Sequence, residues 1–68
     1  MSDHVYKLSE IVGTSRESQD AAIKNALKRA GKSIRNLRWF EVTNQRGYVD
    51  KDGGLMHQVT LKIGFTLD

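Results

Sequence analysis

From Leu55 to Leu67 apolar and polar residues take turns along the chain. Odd positions Leu55, Val59, Leu61, Ile63, Phe65 and Leu67 are apolar, with His57 the exception, and even positions Gln58, Thr60, Lys62 and Thr66 are polar. Successive side chains of a strand point to opposite faces, so this stretch specifies a strand with one face on a core and the other elsewhere. Leu37 to Val49 reads as a second arm, and Asp50-Lys51-Asp52-Gly53-Gly54 as the turn joining the two into a long hairpin. Whatever covers the apolar face must come from the first half of the chain.

That half offers a strand and a helix. His4 to Val12 is rich in β-formers (Val5, Tyr6, Leu8, Ile11, Val12) and is expected to stop at Gly13. Its alternation is poor, which suits an edge strand. Thr14-Ser15-Arg16-Glu17 has the spacing of a capping box, in which a hydroxyl and a carboxylate satisfy free amides at a helix start. Beyond it Ile23, Ala26, Leu27, Ala30 and Ile34 form one apolar stripe, with Lys24, Lys28 and Lys32 on another face. The spacing predicts an amphipathic helix from Ser15 to Lys32, with Gly31 a natural place for it to loosen. Small residues in the stripe let a sheet come close.

Parity then sorts the hairpin. If Phe40 and Val42 join the helix-facing core, Trp39 and Glu41 point away from it, as does Gln58. The only tryptophan in the chain therefore falls on a sheet face that the helix cannot reach. Something else must cover it.

Size says what that cover is. The 68 residues make one domain, whose small core barely offsets a cost of about 1.5 kcal/mol per ordered residue. There are no cysteines, which removes disulfides and thiolate metal sites, and His4 and His57 lie far apart. Partner chains are the remaining support. No apolar run is long enough for a membrane span or a signal-peptide core, and the cytoplasm is the default expectation. The net charge of +3, from 11 Lys+Arg against 8 Asp+Glu, suits an anionic ligand or simple solubility.

Three residues stand out as candidates for binding. Trp39 reads either as interface area or as a platform for a planar ring. Gln58 offers donor and acceptor together, matching the alternating edge of a pyrimidine-like ring, but an exposed strand glutamine with no role is the plainer reading. Arg46 beside Gly47 suits a phosphate, or is a solvated loop arginine. Lys24, Lys28, Arg29, Lys32, Arg35 and Arg38 read as the outer face of a surface helix more readily than as a nucleic-acid patch. No nucleophile–base set, metal-ligand spacing or glycine-rich phosphate loop is present.

The stretches HVYKLSEIVGTS (residues 4–15), WFEV (39–42), QRG (45–47) and HQVTLKIGF (57–65), in this order and spacing, resemble the dodecin family of small flavin-binding proteins. The similarity covers nearly the whole chain, and the combination is specific where each piece is weak. It implies an α+β domain of β-α-β-β order, a three-stranded antiparallel sheet curled around one amphipathic helix. It implies a homododecamer as well, a hollow shell of cubic symmetry. Flavins in that family sit as pairs on two-fold axes between tryptophans of symmetry-related subunits, while a glutamine pairs with the ring edge. Those roles carry over to Trp39 and Gln58, and Arg46 matches a basic position linked in some members to a ligand phosphate.

Two positions depart from the pattern. His57 stands where relatives often carry an aromatic residue, and Thr66 replaces an arginine common near that end. The second change argues against coenzyme A, which some members bind through basic residues. The resulting expectation is a non-catalytic protein that stores FMN or riboflavin and quenches its photochemistry. Its rivals are a small RNA-binding module, with Trp39 stacking a base and the helix lysines on phosphates, and a flavin-dependent enzyme. The last lacks any visible acid or base for a substrate.

Overall fold

The computed structural model describes residues 3–67, arranged as β1 (Tyr6–Ser15), α1 (Gln19–Ser33), β2 (Leu37–Val49) and β3 (Leu55–Thr66). The sheet order is β1-β3-β2, and both neighbours run antiparallel to β3. The strand with the cleanest alternation takes the centre, where both its edges are paired. The two less regular strands take the edges, as expected for β1.

Helix α1 lies over β1 and β3 and leaves β2 almost uncovered. Val59, Leu61 and Ile63 are fully buried beneath Ala22, Ala26 and Ala30, with Ile11, Ile23, Leu27, Ile34, Leu37 and Val42 packed around them. The small stripe does bring helix and sheet close. Gly13 completes that approach, since a Cβ there would overlap the Ala22 carbonyl oxygen and the Ala26 Cβ. β1 accordingly runs through Gly13 to Ser15 rather than stopping there. The glycine marks a close contact, not a break.

The helix start also differs from the sequence expectation. Ser18, not Thr14, is the N-cap, and its Oγ accepts from the Ala21 amide at 3.0 Å. Ser15 accepts instead from the Glu17 amide at 2.9 Å, a local turn between strand and helix. Thr14 is held in β1 opposite Gln58, so the box at Thr14–Glu17 never forms. The helix passes through Gly31 and ends at Ile34, whose amide donates to the Ala30 carbonyl.

β2 carries two bulges, at Arg38 and Thr43, where one extra residue shifts the register against β3. Thr43 Oγ1 donates to the Thr60 carbonyl at 3.2 Å. The first bulge lets Leu37 and Phe40 both face the helix side, and the second puts Arg46 on the opposite face. Phe40 is on the expected side, paired with Ile63, but it remains 46% exposed because the helix does not extend over β2. It lies outside the core of the single chain. Val42 does join it.

The hairpin turn falls where expected. Asp50 Oδ1 accepts from the Asp52 amide at 3.0 Å and the Gly54 amide at 2.8 Å, and Gly53 takes the positive φ of 83°. The long hairpin makes an elongated molecule, 53 × 21 × 14 Å, with a radius of gyration of 14.1 Å. A compact chain of this length would have about 11 Å. Its accessible surface of 5189 Å² likewise exceeds the roughly 4,300 Å² of a compact monomer of the same mass.

Candidate functional site

The sheet face turned away from α1 can be read off the register. Across β1, β3 and β2 it carries four rows: Leu8–Gly64–Trp39, Glu10–Lys62–Glu41, Val12–Thr60–Asn44 and Thr14–Gln58–Arg46. Trp39 and Gln58 thus share this face, as parity requires. Tyr6, paired with Thr66, lies just beyond the first row.

Trp39 lies across its register partner. A Cβ on Gly64 would overlap Cε2, Cζ2 and Nε1 of the indole, so the ring fills the space that a side chain there would take. Tyr6 approaches from the other edge of the sheet with ring centroids 6.1 Å apart and planes at 68°, an edge-to-face contact. The indole is 37% exposed. With one side on Gly64 and Tyr6 along it, its open side is available to a flat ligand. Sequence reasoning missed Gly64 and Tyr6. The one signal was a glycine interrupting the polar positions of β3, and only the register shows that the tryptophan sits on it.

Gln58 and Arg46 are brought together as register partners at the other end of the face. Gly64 and Gln58 lie six positions apart on β3, about 20 Å at the usual rise of a strand. Within one chain, then, Trp39 is not beside Gln58 or Arg46. Gln19 Nε2 donates to the Arg46 carbonyl at 3.1 Å, and Arg16 Nη1 donates to Asp50 Oδ2 at 2.8 Å. Both bonds tie the start of the helix and the turn before it to the hairpin. The Arg16 bond first, then that from the Gly54 amide, holds the Asp50 carboxyl below its ordinary 3.8 against an opposing effect of burial, with a lesser contribution from the Asp52 amide. His57, paired with Ser15 and Gly47, is half-buried on the helix side.

The helix lysines Lys24, Lys28 and Lys32 are exposed on the opposite side of the sheet from Trp39. Among the described residues no group of three or more His, Cys, Asp or Glu side chains gathers to hold a metal ion. No helix among them is long and apolar enough to cross a membrane.

An open aromatic face on a small β-α-β-β subunit defines a binding protein that needs company to bury its surface. The family model for dodecins matches residues 5–68, and the chain belongs to that family. It is 50% identical over 64 residues to a dodecin of Thermus thermophilus, covering 94% of this chain and 93% of the relative. A solved dodecin structure from Streptomyces davaonensis superposes with a TM-score of 0.91 at 46% identity, covering 98% of each chain. A Mycobacterium tuberculosis relative named calcium dodecin is 33% identical over 63 residues, covering 93% of this chain and 89% of its own. Membership marks the chain as a small flavin-binding-type protein of a family that is typically oligomeric and generally non-catalytic.

Proposed function

We propose that this chain stores flavin, FMN or riboflavin, in a homododecameric shell and protects it from light without making or breaking a bond. The observation that carries the reading is the Trp39 indole, laid over Gly64 with an open face on a sheet surface its own helix cannot cover. Tryptophans from two-fold mates clamp a flavin pair, each contact contributing roughly 0.5–1.5 kcal/mol beyond buried area. Gln58 hydrogen-bonds the pyrimidine edge of the ring, and Arg46 meets the phosphate of FMN.

The flavin's three fused rings are shorter than the separation of Trp39 and Gln58 within one chain. A ring touched by both takes its tryptophan from one subunit and its glutamine from another. The assembly is therefore part of the site, and a lone chain would bind poorly. An electron-rich indole in contact with excited flavin donates an electron and takes it back, which drains the excited state.

The RNA-binding reading needs Trp39 and the helix lysines to meet one strand of nucleic acid. They lie on opposite sides of the sheet, which supports the flavin reading over it. The test is the colour of the purified protein. A flavin absorption spectrum, with FMN or riboflavin identified after denaturation, is expected. A colourless preparation that takes up neither ligand overturns the proposal.

A further inference from the structure

Tyr6 and Trp39 stand on the two edge strands with β3 between them, so their backbones are about 10 Å apart. Their register partners on β3 are Thr66 and Gly64. Bare Gly64 lets the indole lie over the central strand, where the Tyr6 ring meets it at 6.1 Å in an edge-to-face arrangement. Behind Tyr6 the His4 ring lies 6.2 Å away, tilted by 46°. Tyr6 is thus in ring contact with both His4 and Trp39.

We infer that Tyr6 is a positioning residue of the ring-binding site: its contact across bare Gly64 locks the Trp39 indole in the attitude in which its open face stacks on a ligand. This role rests on the flavin reading above. An exposed tryptophan on an edge strand otherwise samples several rotamers, and a ligand must order it on binding. Here the ordering is met at folding, so the platform is ready before the ligand arrives. The contact is between the two aromatic rings. Phenylalanine therefore suffices at this position and an aliphatic residue of similar bulk does not.

Trp39 is the only tryptophan, so in flavin-free protein the long-wavelength indole band of the near-ultraviolet circular dichroism, beyond the tyrosine bands, and the anisotropy of fluorescence excited in that band report on this ring alone. Tyr6→Leu should diminish both signals at unchanged assembly size, and should weaken riboflavin binding by about two- to tenfold. Tyr6→Phe should restore both. An indole signal in Tyr6→Leu equal to the parent's would overturn the inference, as would a loosened indole with undiminished affinity. Failure of the flavin reading shows separately, as a parent protein that binds no riboflavin whatever its indole signal does.

Discussion

The indole of Trp39 occupies the volume that any side chain at Gly64 would claim: a Cβ added there overlaps three atoms of the ring. Gly64 has an ordinary strand backbone with no positive φ, so alanine suits the main chain, and its three nearest clashes are all with the indole. Gly64→Ala should fold, displace the ring and weaken riboflavin binding about tenfold, roughly 1.4 kcal/mol, the upper range of one aromatic contact. Fluorescence titration checks the affinity and near-ultraviolet circular dichroism the displacement. A variant matching the parent in both would mean that the seat does not matter.

How much of this was legible depends on whether a feature is local in sequence. The alternation of β3, the Ala26–Ala30 stripe and the Asp50–Gly54 turn each announce themselves within a few residues, and the structure has all three. The helix start is ambiguous in sequence because Thr14, Ser15 and Ser18 are all competent caps; pairing of Thr14 with Gln58 and of Ser15 with His57 holds the first two in β1 and leaves the cap to Ser18. Parity puts Phe40 on the correct face, but which strands the helix lies across is a packing outcome. The bulges at Arg38 and Thr43 leave no mark in the sequence, yet the second one sets which face Arg46 occupies. Parity places Trp39 and Gln58 on one face, and the register agrees. Their distance along β3 is a matter of register, which parity does not contain.

The exposed apolar surface leads to a test of assembly. Leu8, Val12, Trp39, Phe40, Val49 and Leu55 are each more than a third exposed in the single chain, and the total surface is well above that of a compact monomer. Native mass spectrometry at micromolar concentration should show a species of twelve chains. A monomer alone would remove both the shell and the shared flavin site.

Arg46 separates the two ligands. Only FMN carries a terminal phosphate, and a charge-assisted hydrogen bond from a guanidinium contributes about 1.5–3 kcal/mol when partly buried. Arg46→Ala should therefore weaken FMN by about tenfold or more while riboflavin changes little. Since Arg46 pairs with Gln58 across the sheet, its backbone should hold the register without the side chain. Equal losses for both ligands, by fluorescence titration, would remove Arg46 from phosphate recognition.

Asp50 gives the hairpin turn a pH dependence of predictable sign. Its carboxylate is held by Arg16 and by the Gly54 and Asp52 amides, so its folded pKa lies below the 3.8 of the free side chain. A depressed acid stabilises the fold in full above the unfolded value and loses that contribution as pH falls through the folded one. Protection of the Gly54 amide from hydrogen exchange should hold from neutral pH to about 4 and decline below that. Asp50→Ala should show low protection throughout, with no such decline. A parent turn whose protection is flat into strong acid would sever the link between this carboxylate and the turn.

Trp39 and Gln58 divide the proposed mechanism between affinity and quenching. Trp39 points off the helix-facing core, so Trp39→Ala should stay folded. Two-fold symmetry removes an indole from both sides of the flavin pair, and each loss costs about 1–3 kcal/mol by analogy with base stacking on aromatic side chains. Riboflavin affinity should fall steeply, and any flavin still bound should fluoresce more brightly than in the parent. Gln58→Ala keeps the indole and gives up the hydrogen bonds at the ring edge. Bound flavin should then stay dark while affinity drops and selectivity for the isoalloxazine over other flat rings declines. Titrating riboflavin into each variant and reading emission at saturation distinguishes the two. If Trp39→Ala binds and quenches as the parent does, Trp39 is ordinary interface area and the stacking mechanism is wrong.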